Sequence, residues 1–235
     1  MIYDKKQSGV TLVELSISIA IFALLTAIVL LGFMDSRKHN EFKSAAENFV
    51  SNLRQLQAYA IGGREVSGMV PGSFGIFMNI NTEFDRYQLY GDTTSFDSVN
   101  LQCLVGGDVN RRFDQYLFDT KSYPNCNQEP TVDTGTVMLP PSVVLDNVRI
   151  GVQSPTIIDI TFSTPESLVG AQWGANDSDY DPTTVDYDNT ADYFAANSTI
   201  KVCLRHTQLN RYRMITLLGA TGQVNLSSTI DTCPI

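Results

Sequence analysis

Gly9-Val-Thr-Leu-Val-Glu14-Leu15, running on through Ser16-Ile-Ser-Ile-Ala-Ile-Phe-Ala-Leu-Leu-Thr-Ala-Ile-Val-Leu-Leu-Gly-Phe-Met34, decides the reading of this chain. From Leu15 to Met34 no residue carries a formal charge. Those 20 residues, as a helix, reach about the ~30 Å of a bilayer's hydrocarbon core. One carboxylate, Glu14, stands at the start of that helix. A charge inside such a segment costs roughly 2.5–3.5 kcal/mol at mid-helix, so one that is kept points to function. It calls for a partner cation, and the nearest source is a free α-amino group made by cutting after Gly9.

Two plainer readings compete. A secretory signal peptide has an apolar stretch of 7–15 residues with its cleavage site behind it. Here the run is longer, and Gly9 lies in front of it. A simple single-span anchor fits the hydropathy but leaves the spacing from Gly9 to Glu14 unexplained. After Met34 the pattern changes: Asp35, Arg37, Lys38, His39 and Glu41 mark the exit from lipid. Phe42, Ala46, Phe49, Leu53, Leu56 and Ala60 then recur at steps of four and three, one face of an amphipathic helix. The two parts read as one helix from Val10 to Ile61, about 78 Å long at 1.5 Å per residue. Gly62-Gly63 supplies its stop.

The apolar stripe needs a sheet to cover it, and strand patterns follow at 74–80, 86–90, 143–145, 148–152, 157–162, 199–204, 212–218 and 223–226. Gly219-Ala-Thr-Gly222 reads as the turn joining the last two. A long amino-terminal helix followed by many short strands is an α+β plan, the helix laid on an antiparallel sheet.

Gly9-Val-Thr-Leu-Val-Glu14 resembles the processing site of type IV prepilins and pseudopilins, usually Gly-Phe-Thr-Leu-Ile-Glu. The short polar leader with Lys5 and Lys6 is similar to theirs. The resemblance implies that a membrane prepilin peptidase cuts after Gly9 and that the new terminus, Val10, is methylated. It also implies that Glu14 pairs with the terminal amine of a neighbouring subunit. Val10 replaces the usual Phe, and no proline occurs between Met1 and Val70, where many pilins have one. The closing segment Arg213-Met-Ile-Thr-Leu-Leu-Gly-Ala-Thr-Gly-Gln-Val-Asn-Leu226 resembles GspH/FimT-type minor pseudopilins more loosely. So does Ala45-Ala46…Leu53-Arg54…Ala58-Tyr-Ala60 on the helix. The chain is longer than typical members, with inserts over 95–132 and 171–197.

The expected organisation is a leader at 1–9, a membrane and assembly helix at 10–34, its amphipathic continuation at 35–62, and a β-rich head at 63–235. The 235 residues carry a net charge of −9, which becomes −10 once Asp4, Lys5 and Lys6 leave with the leader. An acidic chain favours solubility over broad non-specific nucleic-acid binding. Lysines ahead of the helix agree with a cytoplasmic amino terminus, an inner-membrane span and a head outside the cytoplasm. Cys103, Cys126, Cys203 and Cys233 all fall in that exported part. Four cysteines allow three pairings, and sequence does not choose among them; Cys103–Cys126 with Cys203–Cys233 is the leading expectation. Each such loop contributes about 3–4 kcal/mol in the chain-entropy model. In an oxidising compartment a disulfide is the better reading of Cys203 than a metal or nucleophilic site with His206.

Two clusters invite chemistry. Asp177, Asp179, Asp181 and Asp188 occupy positions 1, 3, 5 and 12 of an EF-hand-like calcium loop. Pro182 stands where that loop needs glycine, and Asp188 is shorter than the usual Glu, so a solvated acidic loop is the plainer reading and Ca²⁺ the alternative. Lys201, Arg205, His206, Arg211 and Arg213 form the main basic cluster, with no acid among them. Some FimT-like minor pilins bind DNA through such residues, and here Lys201 and Arg205 would share one side of a strand, with Arg211 and Arg213 placed likewise on the next. A charged solvent face is again the plainer reading. His39 and His206 are far apart, and the chain has no Gly-x-Ser-x-Gly elbow, phosphate-cradling loop or zinc spacing, so no catalysis and no cofactor are expected. The expectation is a structural subunit of a type IV pilus or type II secretion-like filament. Its partners would be other subunits, the prepilin peptidase and an inner-membrane assembly platform. The alternative is a membrane-anchored or tip-located module for DNA uptake or adhesion.

Overall fold

Helix α1, Leu12–Gly62, starts and stops on recognisable caps. Thr11 precedes it, and the Glu14 N–H donates to Thr11 Oγ1 at 3.3 Å while the Thr11 N–H donates to Glu14 Oε2 at 2.9 Å. This reciprocal pair is a capping box, which satisfies two donors that a helix start otherwise leaves open. At the other end Gly63 takes φ 58°, the Gly63 N–H reaches the Ala60 carbonyl, and the Arg64 N–H reaches Tyr59. That is a Schellman motif, which needs a residue without a Cβ at the left-handed position. The computed structural model describes residues 11–66, 68, 70–92, 94–97, 102–105, 131–152, 154–163, 169–174, 199–219 and 221–233.

The chain divides into two units, Met1–Glu41 and Phe42–Ile235. In the second, the helix stripe expected from the 3.6 period is the core: Phe42, Ala46, Phe49, Leu53, Leu56 and Ala60 are all buried. Small Ala45 and Ala46 and larger Phe49 and Val50 belong to the same buried cluster. Two antiparallel sheets share that stripe. One has the order β5-β2-β1-β7-β8, from β1 (Ser73–Asn79), β2 (Arg86–Asp92), β5 (Thr131–Met138), β7 (Ile157–Ser163) and β8 (Val169–Gly174). The other runs β11-β10-β9-β6, from β6 (Val143–Ile150), β9 (Thr199–His206), β10 (Arg211–Leu218) and β11 (Val224–Leu226). A hairpin of β3 (Thr94–Asp97) and β4 (Gln102–Val105) stands as a third, two-stranded sheet. The fold is α+β, one long helix and antiparallel sheets.

Ile76, Ile160, Val202 and Ile215 come from four strands of both large sheets and join one cluster with the helix. Each such side chain contributes about 1.5–3 kcal/mol when fully buried. The segments expected at 143–145 and 148–152 are one strand, β6, broken by a bulge: Leu145 pairs with Leu204, Asn147 with Cys203, and Asp146 is the extra residue. Strands β5 and β8, and the hairpin inside the first insert, were not expected. Each lies in or beside a region read as insertion. At the last turn the Gly222 N–H bonds to the Leu218 carbonyl with φ 64°, as the glycine pair anticipates.

Strands β1 and β7 are buried at every position, so both their faces are dry. The face away from the helix stripe is mixed: Ser73, Asp159, Thr161 and Ser163 are buried on it beside Phe77 and Ile157. Gly75 pairs with Tyr90, and the Tyr90 ring lies over it, donating its hydroxyl to Asp159 Oδ1 at 2.6 Å. On the helix side, the Asn52 Nδ2 donates to the Tyr87 hydroxyl at 2.8 Å, and Phe49 meets the Tyr87 ring edge-on at 4.9 Å. Burial pushes the Tyr87 phenol up to about 12, against a smaller opposing pull from the Asn52 hydrogen bond.

Two outcomes follow from this packing. A Cβ at Gly75 would fall on the Tyr90 ring, so Gly75→Ala displaces a fully buried side chain and its bond to a buried carboxylate. The expected cost is about 1–3 kcal/mol, read as a lower denaturation midpoint of the full chain in detergent. Tyr87 holds its proton in the folded chain at pH values where the unfolded chain loses it. Its contribution is therefore complete below about pH 10 and falls, by about 2 kcal/mol, as the pH rises from about 10 towards 12. Tyr87→Phe should show a shallower loss of stability than the wild type over that interval and no difference in slope below it.

Candidate functional site

The first unit carries the residues on which the functional expectation rests. Thr11 gives Glu14 Oε2 two donors, its N–H and its hydroxyl, each at 2.9 Å. The carboxylate is thereby folded back over the helix start, onto Thr11. Ser16, Ser18 and Thr26 turn their hydroxyls onto the carbonyls of Leu12, Glu14 and Phe22, four residues back in each case. Polar atoms are thus spent on the helix's own backbone, which lipid requires.

What remains on the outside is apolar all round. Leu12 is 82% exposed, Phe22 72% and Val29 69%, and the same holds around the helix to Met34. By length and composition this helix can cross a membrane. Its polar continuation opens with Asp35 and His39, whose side chains lie 3.8 Å apart at i, i+4. Gly9 and Val10, the expected cleavage and methylation positions, lie outside the described residues.

Among the head's expected sites, Cys203 and Cys233 are bonded, with Cα atoms 6.3 Å apart. The Cys103–Cys126 pair lies outside the described residues because Cys126 does, and so do Asp177, Asp179, Asp181 and Asp188. Among the described residues no three His, Cys, Asp or Glu side chains come together as a metal would need.

The basic cluster is divided by register. Arg205 pairs with Tyr212 and Lys201 with Thr216, while Arg211 pairs with His206 and Arg213 with Leu204. Cross-strand partners share a face, so Lys201 and Arg205 look one way and Arg211 and Arg213 the other. Arg149, opposite Lys201 on β6, joins the first pair. The Arg205 Nε lies 2.8 Å from Asp146 Oδ1, the carboxylate that the bulge presents. Arg211 pairs with Asp231, and Arg213 sits with its guanidinium carbon 5.9 Å from the Phe42 ring centre. His206 is fully buried, its Nδ1 accepting the Leu209 N–H at 3.2 Å. These four cations do not make one strip.

The capping role of Thr11 went unread in the sequence, although Thr-x-x-Glu ahead of an apolar run is its signature. No curated protein and no solved structure matches the chain. Residues 4–30, which contain Gly9, Val10 and Glu14, match the family model of the prokaryotic N-terminal methylation motif. The chain thus carries at its amino terminus the signature of type IV pilin-like proteins.

Proposed function

We propose that this chain is a structural subunit, a minor pilin or pseudopilin, of a type IV pilus or type II secretion-like filament. The observation that carries the reading is the methylation-motif match over residues 4–30, joined to a helix that is apolar as far as Met34 and has Glu14 as the one carboxylate of that part. A prepilin peptidase would remove residues 1–9 and leave Val10 as the methylated terminus. The subunit then waits in the inner membrane with its head outside the cytoplasm.

Assembly moves apolar helices from lipid into contact with one another. Lipid tails are as apolar as Leu, so close packing and the pairing of polar groups must drive that step. Glu14 supplies the polar term. In the single subunit Thr11 holds it; in the filament the amine of a neighbour's Val10 would pair with it where water is scarce. A lone carboxylate there is costly, a paired one is not, and so the pair sets register. What supports a minor subunit is the looser sequence resemblance of 213–226, and of Ala45-Ala46 to Ala60 on the helix, to GspH/FimT-type proteins. A DNA-binding head gains no support from basic residues divided between two faces, two of them already engaged by carboxylates.

Mass spectrometry of the amino-terminal peptide from sheared surface material should find Val10 first, with one added methyl. An intact Met1 in that material would overturn the reading. Glu14→Ala should reduce incorporation into filaments at least tenfold. Glu14→Gln separates charge from capping, because glutamine still serves a capping box but cannot pair with an amine as an ion. It should fail like the alanine variant, and normal assembly of Glu14→Gln would exclude the charge pair.

A further inference from the structure

His206 closes β9 and alternates onto one face with Leu204 and Val202, all three buried. The turn that follows, 207–210, is built around it. Its Nδ1 accepts the Leu209 N–H at 3.2 Å, and its carbonyl accepts the Asn210 N–H at 2.9 Å. Asn210 takes φ 48°, a left-handed position that asparagine tolerates better than most residues. Thr207 is tied elsewhere, its N–H and hydroxyl both donating to the Ser142 carbonyl. A ring nitrogen that accepts an N–H carries no proton, so the His206 imidazole is neutral, with its one proton on Nε2.

The described neighbours of the ring include an aromatic side chain and two cations. Phe42 of α1 meets it edge-on, ring centres 5.7 Å apart. Its register partner on β10 is Arg211, and Arg213 follows on the same face with its guanidinium carbon 5.9 Å from the Phe42 ring centre. The partner on β6 is Val143, and Asp146 of that strand is engaged with Arg205 on the other face. Asp231 pairs with Arg211, while Lys43 and Glu47 of α1 pair with each other in the open. A second proton on the ring would place a charge in a dry site beside like charges, which disfavours it twice.

We propose that His206 is an acid-sensitive latch of the head. Neutral, it holds the β9–β10 turn through Leu209. Protonated on Nδ1 by solvent, it presents an N–H to the Leu209 N–H, which loses its acceptor, and the turn and the seat of Phe42 loosen. A histidine in an unfolded chain takes up its proton at about pH 6.5. Below that pH the opened chain binds a proton that the closed turn has no place for. Stability from the latch is therefore complete above about pH 7 and is lost as the pH falls. On the proposed reading the head stands outside the cytoplasm, where the medium sets that pH.

The test is denaturant unfolding of the full chain in detergent at about pH 7.5 and about pH 5.5, with amide exchange read at Leu209. The chain has two histidines, so few groups titrate in that interval. One proton taken up only by the opened chain raises the unfolding constant about tenfold between those values. His206→Asn puts Oδ1 in the place of Nδ1, keeps an acceptor for Leu209 and takes no proton. It should lose the tenfold step and protect Leu209 equally at both pH values. His39→Asn, and Glu41→Gln at the residue before Phe42, should both keep the step. Should His206→Asn not fold, the wild type decides: protection of Leu209, corrected for intrinsic exchange, should fall about tenfold on acidification. A wild type without the step, a step that survives His206→Asn, or one that vanishes in His39→Asn or Glu41→Gln overturns the proposal. So does Leu209 protection that holds at the lower pH.

Discussion

One continuous helix has to satisfy two solvents, and the rest of the chain is arranged around that demand. As far as Met34 its surface is apolar on every side, and its few hydroxyls are turned onto carbonyls one turn back. From Phe42 onward only a stripe is apolar, and a stripe has to be covered by something of complementary pattern. Two sheets do this together. That is why Ile76 and Ile160 from one sheet, and Val202 and Ile215 from the other, belong to a single cluster with Phe49 and Leu53. The alanines at 45 and 46 matter for the same reason, since small side chains let neighbouring strands come close to the helix.

The central strands take burial further than the helix requires. With both faces of β1 and β7 dry, side chains on the second face cannot look to water for partners, and Ser73, Asp159 and Thr161 stand there. A buried polar group is costly alone and tolerable when bonded. Tyr90 answers for Asp159 by reaching across the sheet, and it can do so because Gly75 leaves the space empty. Asn52 and Tyr87 play the matching part on the helix side, where a polar contact within an apolar interface fixes which helix turn sits over which strand residue.

Much of this was legible. The helix stripe was, residue for residue, because six apolar positions at steps of three and four leave little choice of face. Strands β1 and β7 were, because Phe74 to Ile80 and Ile157 to Phe162 are rich in branched and aromatic residues. Strand β8, Val-Gly-Ala-Gln-Trp-Gly, offers no such signal: it is an edge strand that exists through pairing with β7. Strand β5 pairs with β2 through an irregular register and carries a left-handed glycine, Gly135, which breaks its alternation. The division of the basic residues was hidden for another reason. Parity within a strand is visible in sequence, but parity between strands depends on the turn. Here Thr207 to Asn210 place Arg211 opposite His206, so odd positions on β9 share a face with even ones on β10.

The amino-terminal site shows how two readings of one residue can both hold. A capping box is local, needs no partner chain, and would stabilise the helix start in any protein. A charge pair is intermolecular and acts only in an assembly. Glu14 has room for both, because both Thr11 donors go to Oε2 and a carboxylate has about four acceptor positions. The box also fixes direction: the carboxylate is drawn back onto Thr11, the residue that on the proposed reading follows the processed terminus in sequence. Thr11 would then prepare Glu14 for a neighbour before one arrives. The same threonine keeps the carboxylate hydrogen-bonded in the subunit that has not yet found one.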